Sequence, residues 1–263
     1  MINYFNINPI ALQLGPISIR WYGLMYLIGF YLISYLGNKK LKEKNNNFLT
    51  KAEFENLLFY GMLGAIFGGR LGYVIFYGFS YYIINPIKIL SIWEGGMSFH
   101  GGMIGVALVI WVYTRYKKFS FFDISDFFVP IVPVALGIGR IGNFINGELW
   151  GRPTNLPWGM IFPLSNDYIV RHPSQLYESF LEGFILFILL KWFSKKPRKK
   201  GQITSIFLIG YGCLRFLVEF VRQPDHFLNS FPLGFSLGQL LSFPMITIGL
   251  VMYFKSKFQF SKS

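Results

Sequence analysis

Apolar stretches about twenty residues long alternate with short polar breaks along the chain. Each is long enough for a helix, rising 1.5 Å per residue, to cross a hydrocarbon core of about 30 Å. Helices are expected near 17–37, 54–78, 98–114, 122–143, 174–193, 203–221 and 236–254. The stretch from Phe79 to Trp93 is aromatic and isoleucine-rich, but Pro86 interrupts it. It reads as part of an interfacial segment, 79–97, lying along the outer membrane surface. Residues 144–173, rich in Pro, Asn and Gly, read as a second outer excursion forming a small cap. Pro130 and Pro133 predict a kink in the fourth helix. Gly64, Gly68 and Gly72 form successive small-xxx-small pairs and predict close helix packing. No internal repeat or low-complexity tract breaks the pattern, so residues 1–263 are expected to form a single polytopic domain.

Composition agrees with the pattern. Of 263 residues, 53% are hydrophobic and 14% charged, with a mean hydropathy of +0.43. A soluble domain carries about 25% charged residues. The expected fold class is an all-α integral membrane protein of about seven transmembrane helices.

The formal net charge of +13 raises the question of nucleic acid, and the placement of the charges excludes it. Of 25 Lys and Arg residues, 17 fall in four clusters: Lys39 to Lys51, Arg115 to Lys118, Lys191 to Lys200 and Lys255 to Lys262. Each lies between or after apolar segments, as cytoplasmic loops do under the positive-inside rule, and could also meet anionic headgroups. The expected topology therefore has a periplasmic N-terminus and a cytoplasmic C-terminus. Asp123 and Asp126 suit the inner, N-terminal end of the fourth helix, where the dipole favours negative charge. No cleavable signal peptide is expected, since no basic residue precedes the first apolar segment. Cys213, the one cysteine, is expected as a buried structural thiol.

Eight basic residues remain: Arg20, Arg70, Lys88, Arg140, Arg152, Arg171, Arg215 and Arg222. Seven are arginines, whereas the inner clusters are mostly lysine. Counted from the expected helix starts, Arg70 and Arg140 lie about 24 and 26 Å above the inner boundary, and Arg215 about 18 Å. A guanidinium is a planar fork matched to phosphate and carboxylate, so this grouping points to a phosphate-bearing ligand at the outer leaflet. Snorkelling to the interface is the competing explanation, strongest for Arg20 and Arg152.

Four polar constellations accompany these arginines. Gly139 to Thr154 places Arg140, Asn143, Asn146 and Glu148 at the end of an apolar run, where polar groups are costly and mark function. His100, followed by Gly101 and Gly102, opens the third helix; it is either a hydrogen-bonded structural residue or a general base titrating near neutrality. In the sixth helix Arg215, Glu219 and Arg222 are spaced i,i+4 and i,i+3 on one face. They form a structural ion pair or an arginine held at a fixed angle to a phosphate. Arg171 to Glu178 opens the fifth helix, and His172 and Glu178 serve either capping or the site.

These residues also carry a family resemblance. The run Gly139-Arg-Ile-Gly-Asn-Phe-Ile-Asn-Gly-Glu-Leu-Trp-Gly151 resembles the signature of bacterial prolipoprotein diacylglyceryl transferases. His100-Gly-Gly-Met-Ile-Gly-Val106, Trp21-Tyr-Gly-Leu-Met25, Arg171 to Glu178 and Tyr211 to Asp225 are similar to four more of the family's elements, in order. The resemblance implies an inner-membrane enzyme with its active site toward the periplasm. Its reaction would move diacylglyceryl from phosphatidylglycerol to the lipobox cysteine thiol of a prolipoprotein, releasing glycerol phosphate, before signal peptidase II acts. It implies Arg140 at the lipid phosphate, with Asn143, Glu148 and Gly151 shaping the headgroup pocket. His100 is implied as an essential residue and base, and Tyr22, Tyr211, Arg215 and Glu219 as further site residues. No cofactor and no metal are called for. The rival expectations are a secondary transporter or channel for an anionic solute, which the absence of repeats opposes, and a non-catalytic lipid-binding chaperone.

Overall fold

The computed structural model describes residues 2–3, 8–14, 17–43, 48–91, 96–223 and 235–258. Lys44, Trp93, Asp225 and Lys262, which enter the sequence expectations, lie outside the described residues. The elements in chain order begin with strands β1 (Ile2–Asn3), β2 (Ile10–Leu14) and β3 (Ile17–Arg20). Helices α1 (Trp21–Leu41), α2 (Lys51–Tyr77), α3 (Phe79–Ile84), α4 (Phe99–Lys117), α5 (Phe121–Phe128) and α6 (Val132–Ile145) follow. After strands β4 (Met160–Ile161) and β5 (Val170–Arg171) come α7 (Ser174–Glu178), a π-helical segment (Ser179–Ile185), α8 (Leu186–Phe193), α9 (Gln202–Val218) and α10 (Leu237–Phe258).

The protein is mostly helical, and each expected helical stretch has a counterpart. Helices α2 and, over Leu237–Ser256, α10 are long and apolar enough to cross a bilayer; α5 and α6 add a third span if the bent pair counts as one. That pair is bent by 49°, with Pro130 in the break and Pro133 in the first turn of α6. Proline cannot donate to the preceding turn, so the expected kink is a true break. The strands depart from an all-α class. Residues 17–20, expected inside the first helix, pair antiparallel with β2, and α1 starts only at Trp21. The β-branched Ile17 and Ile19 suit a strand, and alternation over so few residues is hidden beside a helical apolar run. Strand β4 pairs parallel with β1 and antiparallel with β5, so the 144–173 excursion shares a small sheet with residues 2–3.

The chain divides into two compact units, residues 37–125 and residues 1–36 with 126–263. In the first, α2 and α4 pack along Gly64, Gly68, Gly72, Gly101 and Gly105. A Cβ on Gly72 would lie 2.7 Å from the Gly101 Cα, so the two backbones touch and neither helix tolerates a side chain there. The expected close packing of the α2 glycines is thus met by glycines after His100. Arg70 is buried and donates to the carbonyls of Lys88 (2.6 Å), Ile89 (2.9 Å) and Gly96 (3.3 Å), with its guanidinium over the Tyr82 ring. Its role is to tie down the segment after Pro86, which corrects its place among the ligand-facing arginines.

In the second unit α9 packs against α10, and α6 against the π-helical segment. Asp126 serves α9 rather than its own helix, accepting from the Gly201 and Thr204 N–H groups (2.6 and 2.7 Å) and from the Thr204 hydroxyl. Cys213 is exposed, not buried. Tyr211, Gly212, Arg215 and Val218 form the packed face of α9, and Cys213 is turned about 200° from both Tyr211 and Arg215.

Candidate active site

Three helical pieces of the 1–36 and 126–263 unit bring six charged side chains together. Arg140 comes from α6, Glu178 and Glu182 from the helix that runs through the π segment, and Arg215, Glu219 and Arg222 from the end of α9 and its last turn. Arg140 Nε lies 2.6 Å from Glu178 Oε2, and its Nη2 3.7 Å from Glu182 Oε2. Arg215 Nη1 lies 3.2 Å from Glu178 Oε1 and 3.4 Å from Glu182 Oε1, while its Nη2 reaches Glu219 Oε1 at 2.6 Å. Arg222 meets Glu178 Oε1 at 3.4 Å and Glu219 Oε1 at 3.1 Å. Glu219 Oε2 accepts from the Ser236 hydroxyl at 2.6 Å.

The three carboxylates are each 1% exposed, yet three guanidiniums balance them. An isolated charge at such a depth would cost several kcal/mol, so pairing is the condition for burying any of the six. Neither oxygen of Glu178 meets an N–H along its bond direction, although the 2.6 Å approach of Arg140 is an ion pair by distance. Charge rather than directional hydrogen bonding holds Glu178. Arg140 is the most open of the six at 16% exposure.

A second layer adjoins Arg140 along α6. Asn143, three residues on, donates to Glu148 Oε1 at 2.8 Å, and Asn146 to the same oxygen at 3.4 Å. Gln175 donates to the Glu148 carbonyl at 2.6 Å, and Ser174 to that of Leu149. Leu149 adopts a left-handed backbone (φ 59°), which turns the chain sharply after Glu148. Gly151 donates to the His172 carbonyl at 2.8 Å and bridges Arg222; a Cβ there would lie 2.6 Å from the Val221 carbonyl oxygen and from the His172 Cβ. Tyr22 in α1 shares a hydroxyl contact with Tyr26 at 2.9 Å and flanks Gly142 between Arg140 and Asn143. Tyr211 is buried one turn before Arg215 and stacks on Phe207.

Arg140, Arg215 and Glu219 therefore meet in one ionic network, and Asn143 with Glu148 in an adjoining pair. Gly151 joins the backbone around Arg222. His100 belongs to the 37–125 unit, in the first turn of α4, where Ser98 accepts from the Gly101 N–H and the Phe99 ring stands edge-on to the imidazole. Sequence reasoning missed Glu182. Its signal was available: two acids, four residues apart, in a stretch otherwise apolar from Phe180 to Leu190.

Around this core the 144–173 excursion has its own electrostatics. Arg171, helped by the Ser165 hydroxyl and the Ile169 N–H, holds the Asp167 carboxyl well below the usual carboxylate range. Arg171 also donates to the Gly151 carbonyl at 3.3 Å. Burial pushes the His172 imidazole below its ordinary value, and Tyr177, within 3.3 Å of its Nδ1, accepts from the Trp158 indole N–H at 2.7 Å. Arg152, itself exposed, donates through Nε to the Arg222 carbonyl at 3.1 Å and so ties the 144–173 excursion to the backbone of the network.

Residues 9–255 match the protein family described as prolipoprotein diacylglyceryl transferase. The chain belongs to this family. Proteins named phosphatidylglycerol–prolipoprotein diacylglyceryl transferase are similar to it over almost their whole length. That of Bordetella parapertussis is 54% identical over 253 residues, 96% of this chain and 97% of the relative. That of Bordetella avium is 55% identical over 253 residues, 96% of each chain. That of Nitrosomonas europaea is 51% identical over 255 residues, 97% of this chain and 91% of the relative. A diacylglyceryl transferase must bind a lipid phosphate and an apolar glycerolipid body in one place.

Proposed function

We infer that this membrane protein transfers the diacylglyceryl group of phosphatidylglycerol to the thiol of a prolipoprotein lipobox cysteine. The bond formed is a thioether to the glyceryl carbon. The bond broken is that carbon's link to the phosphate oxygen, and glycerol phosphate departs. The observation that carries this reading is the identity of about half of all residues, over nearly the full chain, with relatives named for that activity. A transporter or channel for an anionic solute has no such support.

The roles follow the family resemblance, and the chemistry of the step says what each would do. A cysteine thiol with an ordinary pKa of about 8.5 is mostly protonated near neutrality, so a base or a positive field must raise the thiolate fraction. His100 is the base in this reading. The departing phosphate gains a negative charge as the carbon–oxygen bond breaks, and pre-positioned guanidiniums stabilise it there. Arg140 binds the lipid phosphate, aided by Arg215, while Asn143, Glu148 and Gly151 shape the headgroup pocket. Tyr22, Tyr211 and Glu219 complete the site. We place the chain in the bacterial inner membrane as a single domain of seven spans, N-terminus periplasmic, C-terminus cytoplasmic and active site toward the periplasm. The basic clusters at one set of loops support that orientation.

The purified protein, phosphatidylglycerol vesicles and a lipobox peptide test the reading. The expected products are a peptide heavier by one diacylglyceryl group, with its thiol blocked, and free glycerol phosphate. Folded protein that yields neither product overturns it.

A further inference from the structure

We propose that Glu182 is a positioning residue for the phosphate-binding arginines, acting with Glu178 as a double carboxylate bridge between Arg140 and Arg215. This rests on the transferase reading and adds a residue to it.

The geometry is a closed ring. Each of the two carboxylates divides its oxygens between the same two arginines: Oε2 faces Arg140 and Oε1 faces Arg215, in Glu178 and in Glu182 alike. Two guanidiniums left alone would repel each other. Two carboxylates spanning them fix both the gap and the angle between the forks. Glu219 then anchors the far side of Arg215, and Ser236 holds Glu219. Glu182 is the one member of the ring whose oxygen takes a directional hydrogen bond from Arg215, at 3.4 Å.

The backbone that carries Glu182 is shaped for this placement. It sits in the seven-residue π-helical turn Ser179–Ile185, flanked by ordinary α-helix on both sides. Wide π turns are uncommon and recur at functional sites. Here the turn lies directly against α6: a Cβ on Gly183 would come within 2.6 Å of the Gly137 Cα, and Ser179 donates to the Gly137 carbonyl at 2.9 Å. That contact sets Glu182 opposite Arg140, one turn further along α6. A carboxylate needed only to neutralise charge would not have to bridge the same two arginines as its neighbour. Bridging them, it determines where two donors point.

Glu182 touches arginines and not the reacting atoms, so its loss is read in turnover. The parent, Glu182→Gln and Glu182→Asp are compared in the transfer assay, with rates referred to folded monodisperse protein. Glu182→Gln keeps the shape and removes the charge; Glu182→Asp keeps the charge and withdraws it by about 1.5 Å. Both are expected to lower kcat, the amide by about 10- to 100-fold and the shorter acid by less. KM for phosphatidylglycerol is expected to stay level or fall, because the guanidiniums lose a competitor for phosphate. A merely structural role would lower the folded fraction and leave kcat per folded molecule unchanged. That result overturns the proposal, as does a raised KM with kcat retained. If Glu182→Gln does not fold, Glu182→Asp decides alone: parent-like kcat overturns the proposal, and a lowered kcat with KM not raised sustains it. A parent that makes no lipidated peptide is a separate failure, of the transferase reading.

Discussion

Arg215 contacts all three buried carboxylates, so its removal should separate stability from catalysis. Arg215→Ala leaves Glu178, Glu182 and Glu219 facing only Arg140 and Arg222, one uncompensated negative charge among side chains 1% exposed. Leaving a buried charge without its partner costs about 3–5 kcal/mol. In the role proposed for Arg215, as a donor to the departing phosphate, its loss costs a further factor of about 10²–10³ in turnover. The double variant Arg215→Ala/Glu219→Gln restores electroneutrality, since one cation and one anion are both gone. The amide oxygen can still accept from Arg222, and the Ser236 hydroxyl, which faces the other oxygen of Glu219, can turn to accept from the amide N–H. Thermal unfolding of the detergent-solubilised protein and the lipobox transfer rate are measured on the same preparations. The single variant is expected to lose both stability and rate, and the double variant to recover most of the stability and little of the rate. Transfer restored to near the parental rate in the double variant would refute Arg215 as a phosphate donor. An Arg215→Ala protein as stable as the parent would refute the energetic coupling of the network.

Asn143→Ala removes the closest donor to Glu148 Oε1 and is expected to cost about 1–3 kcal/mol and raise KM for phosphatidylglycerol; unchanged KM removes Asn143 from the headgroup pocket. Gly72→Ala forces apart two backbones in contact and is expected to lower stability by about 1–3 kcal/mol, read as an earlier thermal transition; an unchanged transition contradicts the packing of α2 on α4. The Asp167 carboxyl lies below its unfolded value, so its stabilisation is complete above about pH 4 and fades as pH falls further. Asp167→Asn should flatten that acid limb in a series of unfolding transitions from pH 5 to 3. His172 is likewise depressed, but as a cationic acid: folding favours the neutral ring, and stability is lost as pH drops below about 6.5. His172→Gln should remove that dependence between pH 7 and 5.5, and an unchanged slope would assign it to another group.

Much of the helical frame was legible because the hydropathy pattern and the prolines act locally. Pro130 and Pro133 foretold the break before α6, and Pro86 the interruption after α3, since a missing N–H acts wherever it sits. The glycines of α2 announced a close approach, but not that Gly101 and Gly105 would supply the other side. Partner choice is a tertiary fact. The strands escaped notice for a similar reason: β1, β4 and β5 have two residues each, too few for an alternation to register, and their pairing joins residues 2 and 160. The site was half legible. Arg140, Arg215 and Glu219 stood out as charges in apolar surroundings, and the i,i+4 spacing of Arg215 and Glu219 anticipated one contact. Which residues would compensate Arg140 was not legible, because Glu178 and Glu182 lie about forty residues away and are brought to it where the π turn packs on α6 around Gly137 and Gly183.

That compensation bears on how the proposed site would recognise phosphate. Arginines read from sequence suggest a positive cavity drawing in an anion, yet the three guanidiniums are matched by three carboxylates and the network has no net charge. What remains is arrangement: donors already fixed in space, so that little reorganisation accompanies the growth of charge on phosphate. Arg140 is suited to the first contact. It is the most open member, and it meets carboxylates through Nε and Nη2, leaving its Nη1 edge without a carboxylate contact among the described residues. A phosphodiester arriving there adds one negative charge to a neutral set, and the departing phosphate adds another. The carboxylates differ in how they are held. Neither oxygen of Glu178 has a directional hydrogen bond, whereas Ser236 and Arg222 hold Glu219 by directional bonds. Charge alone links Glu178 to Arg140, Glu219 is tied down on the far side of Arg215, and Glu182 bridges Arg140 and Arg215.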